Sequence, residues 1–203
     1  MLSLKHNFLF IHLPKTGGNS LQCILSQYSE DKLVCLNALQ DGVERFEVRN
    51  DFPLLSKHSD LKAYHSILKE IEFNKLFKFS IMRNPWERMV SFYFSPHRQV
   101  LHWDRNEFIE LINMVRPLSD LLSLEDVNCH WGENVDFLLR FERLSDDFKN
   151  LCVEINIPYQ PLPERNQSLI KGIDYRKYYD DELITIVEER FKEDIAIGQY
   201  TFK

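Results

Sequence analysis

Short apolar runs that lead directly into amphipathic segments are the main pattern of this chain. Residues 8–13 are apolar or aromatic apart from His12, and the run stops at Pro14, which predicts a buried strand. Apolar side chains then recur at the spacing of one helical face, at Leu21, Ile24, Leu25 and Tyr28. The pattern predicts a strand, a turn and a helix whose N-cap is Asn19 or Ser20.

The same order returns in the middle of the chain. Residues 77–82 alternate and then become apolar throughout, which predicts a second central strand that ends at Arg83. Asn84 as N-cap, Pro85 at the first helical position and Glu87 at the third are typical of a helix start. The apolar stripe of this helix is Trp86, Met89, Val90 and Tyr93.

Strand and helix patterns continue to the end of the chain. They predict strands at 33–36 and 135–141, and helices that open at Asp104, cross 148–155 and run from Leu183 to Gly198. This alternation indicates an α/β fold with a mostly parallel central sheet that helices flank on both faces. A chain of 203 residues is long enough for one domain with a substantial core, so we expect a single domain, 1–203.

The charge balance argues against a nucleic-acid partner. Lys and Arg number 25 and Asp and Glu number 31, a formal net charge of −6, so no global positive field surrounds the molecule. Any anionic ligand must therefore be bound by a local group of residues.

The apolar runs are far shorter than the ~20 residues that cross a bilayer, so the sequence predicts no transmembrane segment. Residues 1–7 lack the pattern of a secretion signal. We expect a cytoplasmic protein of bacterial origin that could associate peripherally with a membrane, and a shortened form of a longer protein is the alternative.

The four cysteines, at 23, 35, 129 and 152, show no metal-binding spacing and are expected to be reduced. The neighbours Cys129 and His130 lack the further ligands of a zinc site, so no metal is predicted.

Residues 14–20 carry the chemistry of an anion-binding turn. The segment Pro-Lys-Thr-Gly-Gly-Asn-Ser combines two glycines, two hydroxyls, an amide and a cation just before a helix N-terminus. Its lysine precedes the glycines, so it is not the Walker loop of ATPases and GTPases. The alternative is a plain Gly-Gly turn with a surface lysine.

A second group follows the second strand. Arg83 ends that strand, and Ser91 lies seven residues past Asn84, nearly two helical turns, so both can address one ligand group. An arginine fork with a hydroxyl suits a terminal phosphate. The alternative is an ion pair between Arg83 and Glu87.

Residues 10–20 and 79–93 together resemble the two cofactor motifs of sulfotransferases that use 3′-phosphoadenosine 5′-phosphosulfate (PAPS), and are most similar to the carbohydrate sulfotransferase group. The likeness extends to residues 140–144, 178–183 and 198–202 and so covers most of the chain. It implies a fold related to that of P-loop NTPases.

The resemblance also implies roles for individual residues. It assigns the 5′-phosphosulfate to Lys15, Thr16, Gly17, Gly18, Asn19 and Ser20, and the 3′-phosphate to Arg83 and Ser91. Asn19 departs from the threonine more common there, although its amide can still donate a hydrogen bond. The loop 163–168, with Asn166, resembles a segment that closes over the nucleotide.

Sulfuryl transfer is an in-line displacement that needs a base and a positive charge at the leaving phosphate, without an obligatory metal. Lys15 is the candidate for that charge. His58 and His65 lie between the two motifs, where similar enzymes place their base, and His58 is preferred because Lys57-His58 followed by a spaced Leu and Tyr resembles the family pattern. A surface role for either histidine stays open, and His12 is expected to be structural.

His97, Arg98 and Trp103 form a basic and aromatic stretch that is either an acceptor site, with Trp103 stacked on a sugar, or a solvated loop. The predicted activity is sulfo transfer to a hydroxyl, with a carbohydrate or glycoconjugate as acceptor. The alternatives are a non-catalytic nucleotide- or glycan-binding module and a kinase-like phosphotransferase; the latter lacks a Walker lysine and magnesium carboxylates. Neither the acceptor's identity nor the oligomeric state can be inferred from the sequence.

Overall fold

The computed structural model describes residues 1–34, 45–47, 55–100, 102–124, 134–163, 172 and 174–203. The strands are β1 Leu2–Ser3, β2 Phe8–Ile11, β3 Lys32–Val34, β4 Arg45–Glu47, β5 Phe77–Met82 and β6 Phe137–Arg140. The helices are α1 Gly18–Leu25, α2 Leu61–Ile67, α3 Glu70–Lys75, α4 Pro85–Tyr93, α5 Arg105–Met114, α6 Leu118–Leu122, α7 Leu144–Glu154, α8 Asp181–Arg190 and α9 Lys192–Gly198.

The main sheet has the strand order β1-β2-β5-β6. β1 pairs with β2 antiparallel, whereas β2, β5 and β6 are parallel, with Ile11 beside Ser80 and Met82 beside Arg140. β3 and β4 form a separate antiparallel pair. Because parallel strands end at the same edge of the sheet, the turns after β2, β5 and β6 lie next to one another. In open α/β sheets, ligands bind at this edge.

Alternate strand residues face two different cores. Phe10 and Phe79 pack with Leu21 of α1 and Leu151 of α7 on one face. Leu9 and Ile11 pack on the other face, with α2, α3 and α6. A third cluster joins α4, α5 and α8. The predicted α/β arrangement with helices on both faces of a mostly parallel sheet is therefore confirmed.

Two predicted boundaries are wrong. The N-cap of α1 is Gly17, not Asn19 or Ser20, because the backbone turns there with a φ of 85°, a conformation that glycine adopts without strain. The predicted last helix is interrupted at Phe191, whose φ of −115° and ψ of 27° separate α8 from α9. Apolar periodicity continues across that bend, so it gave no sign of the break.

Among the described residues, no helix is long and apolar enough to cross a membrane. Cys23 and Cys152 are free thiols, while Cys35 and Cys129 lie outside the described residues.

Candidate active site

The turn between β2 and α1 is shaped by left-handed backbone. Lys15 has a φ of 66° and Gly17 a φ of 85°. The Thr16 hydroxyl donates to the carbonyl of Leu13 over 2.9 Å, which ties the turn to the end of the strand. Gly17, the N-cap, has no side chain to accept a hydrogen bond. The first N–H groups of α1 therefore have no side-chain cap.

The two glycines are required by close packing. A Cβ on Gly18 would lie 2.3 Å from the His12 ring, and one on Gly17 would lie 2.8 Å from the Phe141 ring. The absence of a side chain at Gly17 and Gly18 thus lets the turn pack directly on these two rings. Both glycines therefore fix the position of the helix N-terminus, whatever they do toward a ligand.

Lys15 provides a partly buried positive charge in this turn. Within the described residues its ammonium makes no hydrogen bond or ion pair. Burial, reinforced by the positive charge of Arg83, lowers the pKa of Lys15 to about 8. A half-desolvated cation with a second cation nearby favours an anionic ligand.

Arg83 is held by three neighbours. Its guanidinium donates to the Lys15 carbonyl over 3.0 Å and to the Glu87 carboxylate over 2.9 Å, and lies 4.0 Å from the centroid of the Phe141 ring. The Nε atom is buried and has no partner among the described residues. The ion pair with Glu87, the alternative that the sequence left open, is therefore present. Ser91 is buried on α4, the helix that also carries Glu87. Among the described residues, Arg83 makes no hydrogen bond to Ser91.

Arg88 was not singled out from the sequence, yet it supports the turn. Its side chain is buried; Nε donates to the Pro14 carbonyl over 3.3 Å, and both terminal nitrogens donate to the Arg116 carbonyl. Burial lowers the pKa of Arg88 to about 10, while the carboxylate of Asp194 opposes that change. The sequence pattern did not predict the burial of Arg88, because a charged residue outside the apolar stripe of α4 is expected to be exposed.

The start of α4 is fixed by side chains from distant segments. Asn84 caps the helix by accepting from the Glu87 N–H over 3.2 Å, as predicted. The Asn84 N–H donates to Glu142 over 2.8 Å, and Glu142 also accepts from the Tyr200 hydroxyl over 3.1 Å. The segments after β6 and at the end of the chain thus meet at this helix N-terminus.

His58 lies beside the first turn. Its Nδ1 is 2.9 Å from the carbonyl oxygen of His12, which can only accept, so the neutral ring carries its proton on Nδ1 and a lone pair on Nε2. Burial lowers the pKa of His58, Lys57 acts in the same direction, and the His12 carbonyl opposes both. The residue is accessible to solvent. A neutral, oriented and accessible imidazole has the properties of a general base.

His65 is placed differently. It lies in the last turn of α2, exposed, with its ring edge-on to Phe73 at 4.8 Å. None of its described contacts is with the Lys15 turn. His12 is buried with its pKa well below the ordinary value, mainly because of burial, which fits the expected structural role.

The sequence profile of the Sulfotransferase family matches residues 1–201. This chain belongs to the sulfotransferase family. It is also 30% identical over 87 residues to carbohydrate sulfotransferase 10 from Danio rerio, a match that covers 43% of this chain and 22% of that relative. The chain therefore spans well under two thirds of that relative's length.

The other predicted site residues of this family member are less closely grouped. Trp103 packs in an aromatic cluster whose other members are Tyr93, Phe94, Phe108 and Tyr178, with ring centroids 4.7–6.3 Å from its own. Arg98 lies over the Tyr93 ring. The side chain of His97 and the whole of Asn166 lie outside the described residues. An acceptor role for this stretch stays a prediction.

A groove of about 580 Å³ is lined by residues of α5, α6, α8 and α9, and none of its lining residues belongs to either turn. Its lining mixes charges of both signs, including Asp120, Glu189, Arg190 and Lys192. Among the described residues, no group of three or more His, Cys, Asp or Glu side chains is placed to hold a metal ion.

Proposed function

We propose that this sulfotransferase moves the sulfo group of PAPS to a hydroxyl of a carbohydrate or glycoconjugate. The observation that carries the proposal is the Lys15 ammonium, partly buried and without a described partner, beside the uncapped N-terminus of α1. Backbone N–H groups, the helix dipole and a lysine together suit a doubly charged phosphosulfate.

The residues of this chain divide the work. The turn 15–20 binds the 5′ end of the donor, with Lys15 neutralising charge on the departing 5′-phosphate. Thr16 contributes through its backbone, because its hydroxyl is bonded to Leu13. Arg83 and Ser91 bind the 3′-phosphate, for which Arg83 exchanges Glu87 for the ligand.

His58 acts as the general base. Nε2 takes the proton of the acceptor hydroxyl while the acceptor oxygen bonds to sulfur and the bond from sulfur to the 5′-phosphate oxygen breaks. The electron pair of that bond leaves on the phosphate. The Nδ1 bond to His12 stabilises the imidazolium that forms.

The acceptor class rests on the name of the Danio rerio relative and on the resemblance of the motifs. The cytoplasmic location, the single-domain organisation and the absence of a required metal stay predictions.

The proposal is tested by titrating the protein with 3′-phosphoadenosine 5′-phosphate and with ATP, in EDTA and in magnesium. We expect tight binding of the first without magnesium and none of ATP; the reverse preference contradicts the proposal. Sulfate-labelled PAPS offered with a panel of glycans then identifies the acceptor. Binding of the nucleotide with no transfer to any glycan, lipid or small alcohol indicates the non-catalytic module instead.

The assignment of the base is tested by a matched pair of variants, His58→Ala and His65→Ala, in single-turnover assays. We expect His58→Ala to lose about 10²- to 10⁴-fold in rate, the usual contribution of a general base, and His65→Ala to stay near the parent rate. Full rate in His58→Ala contradicts its role.

A further inference from the structure

A buried lysine lies next to the proposed base in the chain. Lys57 is 9% exposed, and its Nζ donates to Oδ1 of Asn19 over 2.6 Å. A lysine ammonium has no acceptor capacity, so the amide oxygen of Asn19 must be the atom that faces it. Charge-assisted hydrogen bonds in buried surroundings are the strong ones, and the two residues are 38 positions apart in sequence.

The adjacent residue reaches the other side of the same turn. His58 bonds to the carbonyl of His12, and the two rings meet edge to face with centroids 4.9 Å apart. The His12 ring in turn lies against Gly18. Lys57 and His58 therefore contact the first turn of α1 and the residue after β2, on either side of the Lys15 turn.

We propose that Lys57 is a positioning residue, which anchors the segment 57–58 to Asn19 and so holds His58 at the donor-binding turn. This inference rests on the proposed function. Among the described residues, the His58 side chain makes one hydrogen bond, through Nδ1, and one ring contact, and both are with His12. The Lys57 bond to Asn19 ties the same segment to a different residue of the turn. Without the Lys57 anchor, the segment that carries the imidazole can shift relative to the turn, and misplacement of a reacting group by about 1 Å costs on the order of 10²-fold in rate.

The charge of Lys57 gives a second signature. Among the described residues, the groups that act on the pKa of His58 are the backbone carbonyl of His12, which raises it, the ammonium of Lys57 and the amino group of Met1. The titratable ring of His12 also lies against the His58 ring. Lys57 and the Met1 amino group lower the pKa of His58, in addition to burial. Removal of the Lys57 charge therefore raises the pKa of His58, and the acidic limb of the rate profile moves to higher pH.

The experiment compares Lys57→Met with Lys69→Met, which removes an exposed lysine at the start of α3. We expect Lys57→Met to lower kcat by about 10-fold or more, with the dissociation constant of 3′-phosphoadenosine 5′-phosphate changed less than the rate. Lys57→Arg should restore part of the rate, because it keeps both charge and donor. Lys69→Met should match the parent in every measurement.

A double-mutant cycle with Asn19→Ala identifies the path. If Lys57 acts through Asn19, the combined variant loses no more kcat than the worse single variant, whereas independent roles add. Parent kcat and pH profile in Lys57→Met, with only a lower melting temperature, overturn the proposal. Loss of nucleotide affinity with unchanged kcat also overturns it, since Lys57 would then be a donor ligand.

A readout without catalysis separates this inference from the proposed function. NMR titration of the His58 ring in Lys57→Gln, or in Lys57→Met, should show a higher pKa than in the parent, and Lys69→Met should show no change. Failure of the parent to bind nucleotide or transfer sulfate contradicts the proposed function, while an unchanged His58 titration contradicts the positioning role.

Discussion

The two strand-to-helix turns at the sheet edge have the same topology and opposite local chemistry. After β2 the turn is built from left-handed backbone, its helix has no side-chain cap, and the Lys15 charge has no described partner. After β5 the helix is capped by Asn84 and begins at Pro85, and Arg83 is already bonded to a carbonyl and a carboxylate.

The two turns differ in how their positive charge is balanced. Lys15 has no described carboxylate partner, whereas Arg83 is paired with Glu87. At the first turn an anion does not have to displace a described partner of Lys15, whereas at the second turn a ligand must replace Glu87. We infer that the first turn supplies charge for chemistry and the second supplies selectivity for the nucleotide.

The largest expected effect comes from removal of the open charge. Lys15→Ala should lower kcat by about 10²- to 10³-fold, the usual loss when one transition-state charge contact is removed. Lys75→Ala, an exposed lysine at the end of α3, is the control. A sulfate-transfer assay that finds Lys15→Ala as active as Lys75→Ala removes the distinction between the turns.

Arg83→Ala should act mainly on binding. Loss of a charge-assisted contact of about 1.5–3 kcal/mol weakens affinity for 3′-phosphoadenosine 5′-phosphate by about 10- to 150-fold. Arg176→Ala, which breaks an exposed pair with Asp174, is the control. Calorimetry decides the matter, and equal affinities of the two variants would place the 3′-phosphate elsewhere.

Proton uptake on binding should distinguish the turns without any mutation. Burial and Arg83 lower the pKa of Lys15 from its ordinary value of 10.5 to about 8, so the free protein has lost part of this proton above pH 8, and the unfolded chain retains it to about pH 10.5. In that window the penalty that burial of the charged Lys15 imposes on the folded state decreases as pH rises, so the free energy of unfolding increases. An anionic ligand raises the pKa of Lys15 again. Calorimetry at pH 8.5–9 in buffers of different ionisation enthalpy should detect uptake of a fraction of one proton, absent in Lys15→Ala.

The smallest expected effect comes from removal of the charge of Glu87, which pairs with Arg83 at the second turn. Glu87→Gln should strengthen nucleotide binding about 2- to 5-fold, because a partly exposed ion pair contributes at most about 1 kcal/mol and no longer competes with the ligand. Helix α4 should lose a little stability, since the carboxylate lies in its first turn. Weaker binding in Glu87→Gln would show that Glu87 supports the site instead of competing for it.

Local chemistry made part of this predictable from sequence. The order of strand, turn and helix follows from apolar spacing, and the Asn84 cap from residue types within three positions. The Arg88 bond to Pro14 spans 74 residues and the Lys57 bond to Asn19 spans 38, so neither leaves a periodic signal. The sequence likewise could not decide between the two roles of Trp103, because a ring that packs on aromatic neighbours and one that stacks on sugar have the same composition signature.

Gly198 links the far end of the chain to this chemistry. A Cβ there would lie 2.1 Å from the Tyr200 ring and 2.8 Å from Cε of Met82. Any larger residue would displace the tyrosine whose hydroxyl donates to Glu142, and would disturb the hydrogen bond from the N–H of Asn84, the N-cap of α4, to the same carboxylate. Substitution of Gly198 should therefore alter the affinity for the nucleotide, although Gly198 contacts none of the groups proposed to bind it.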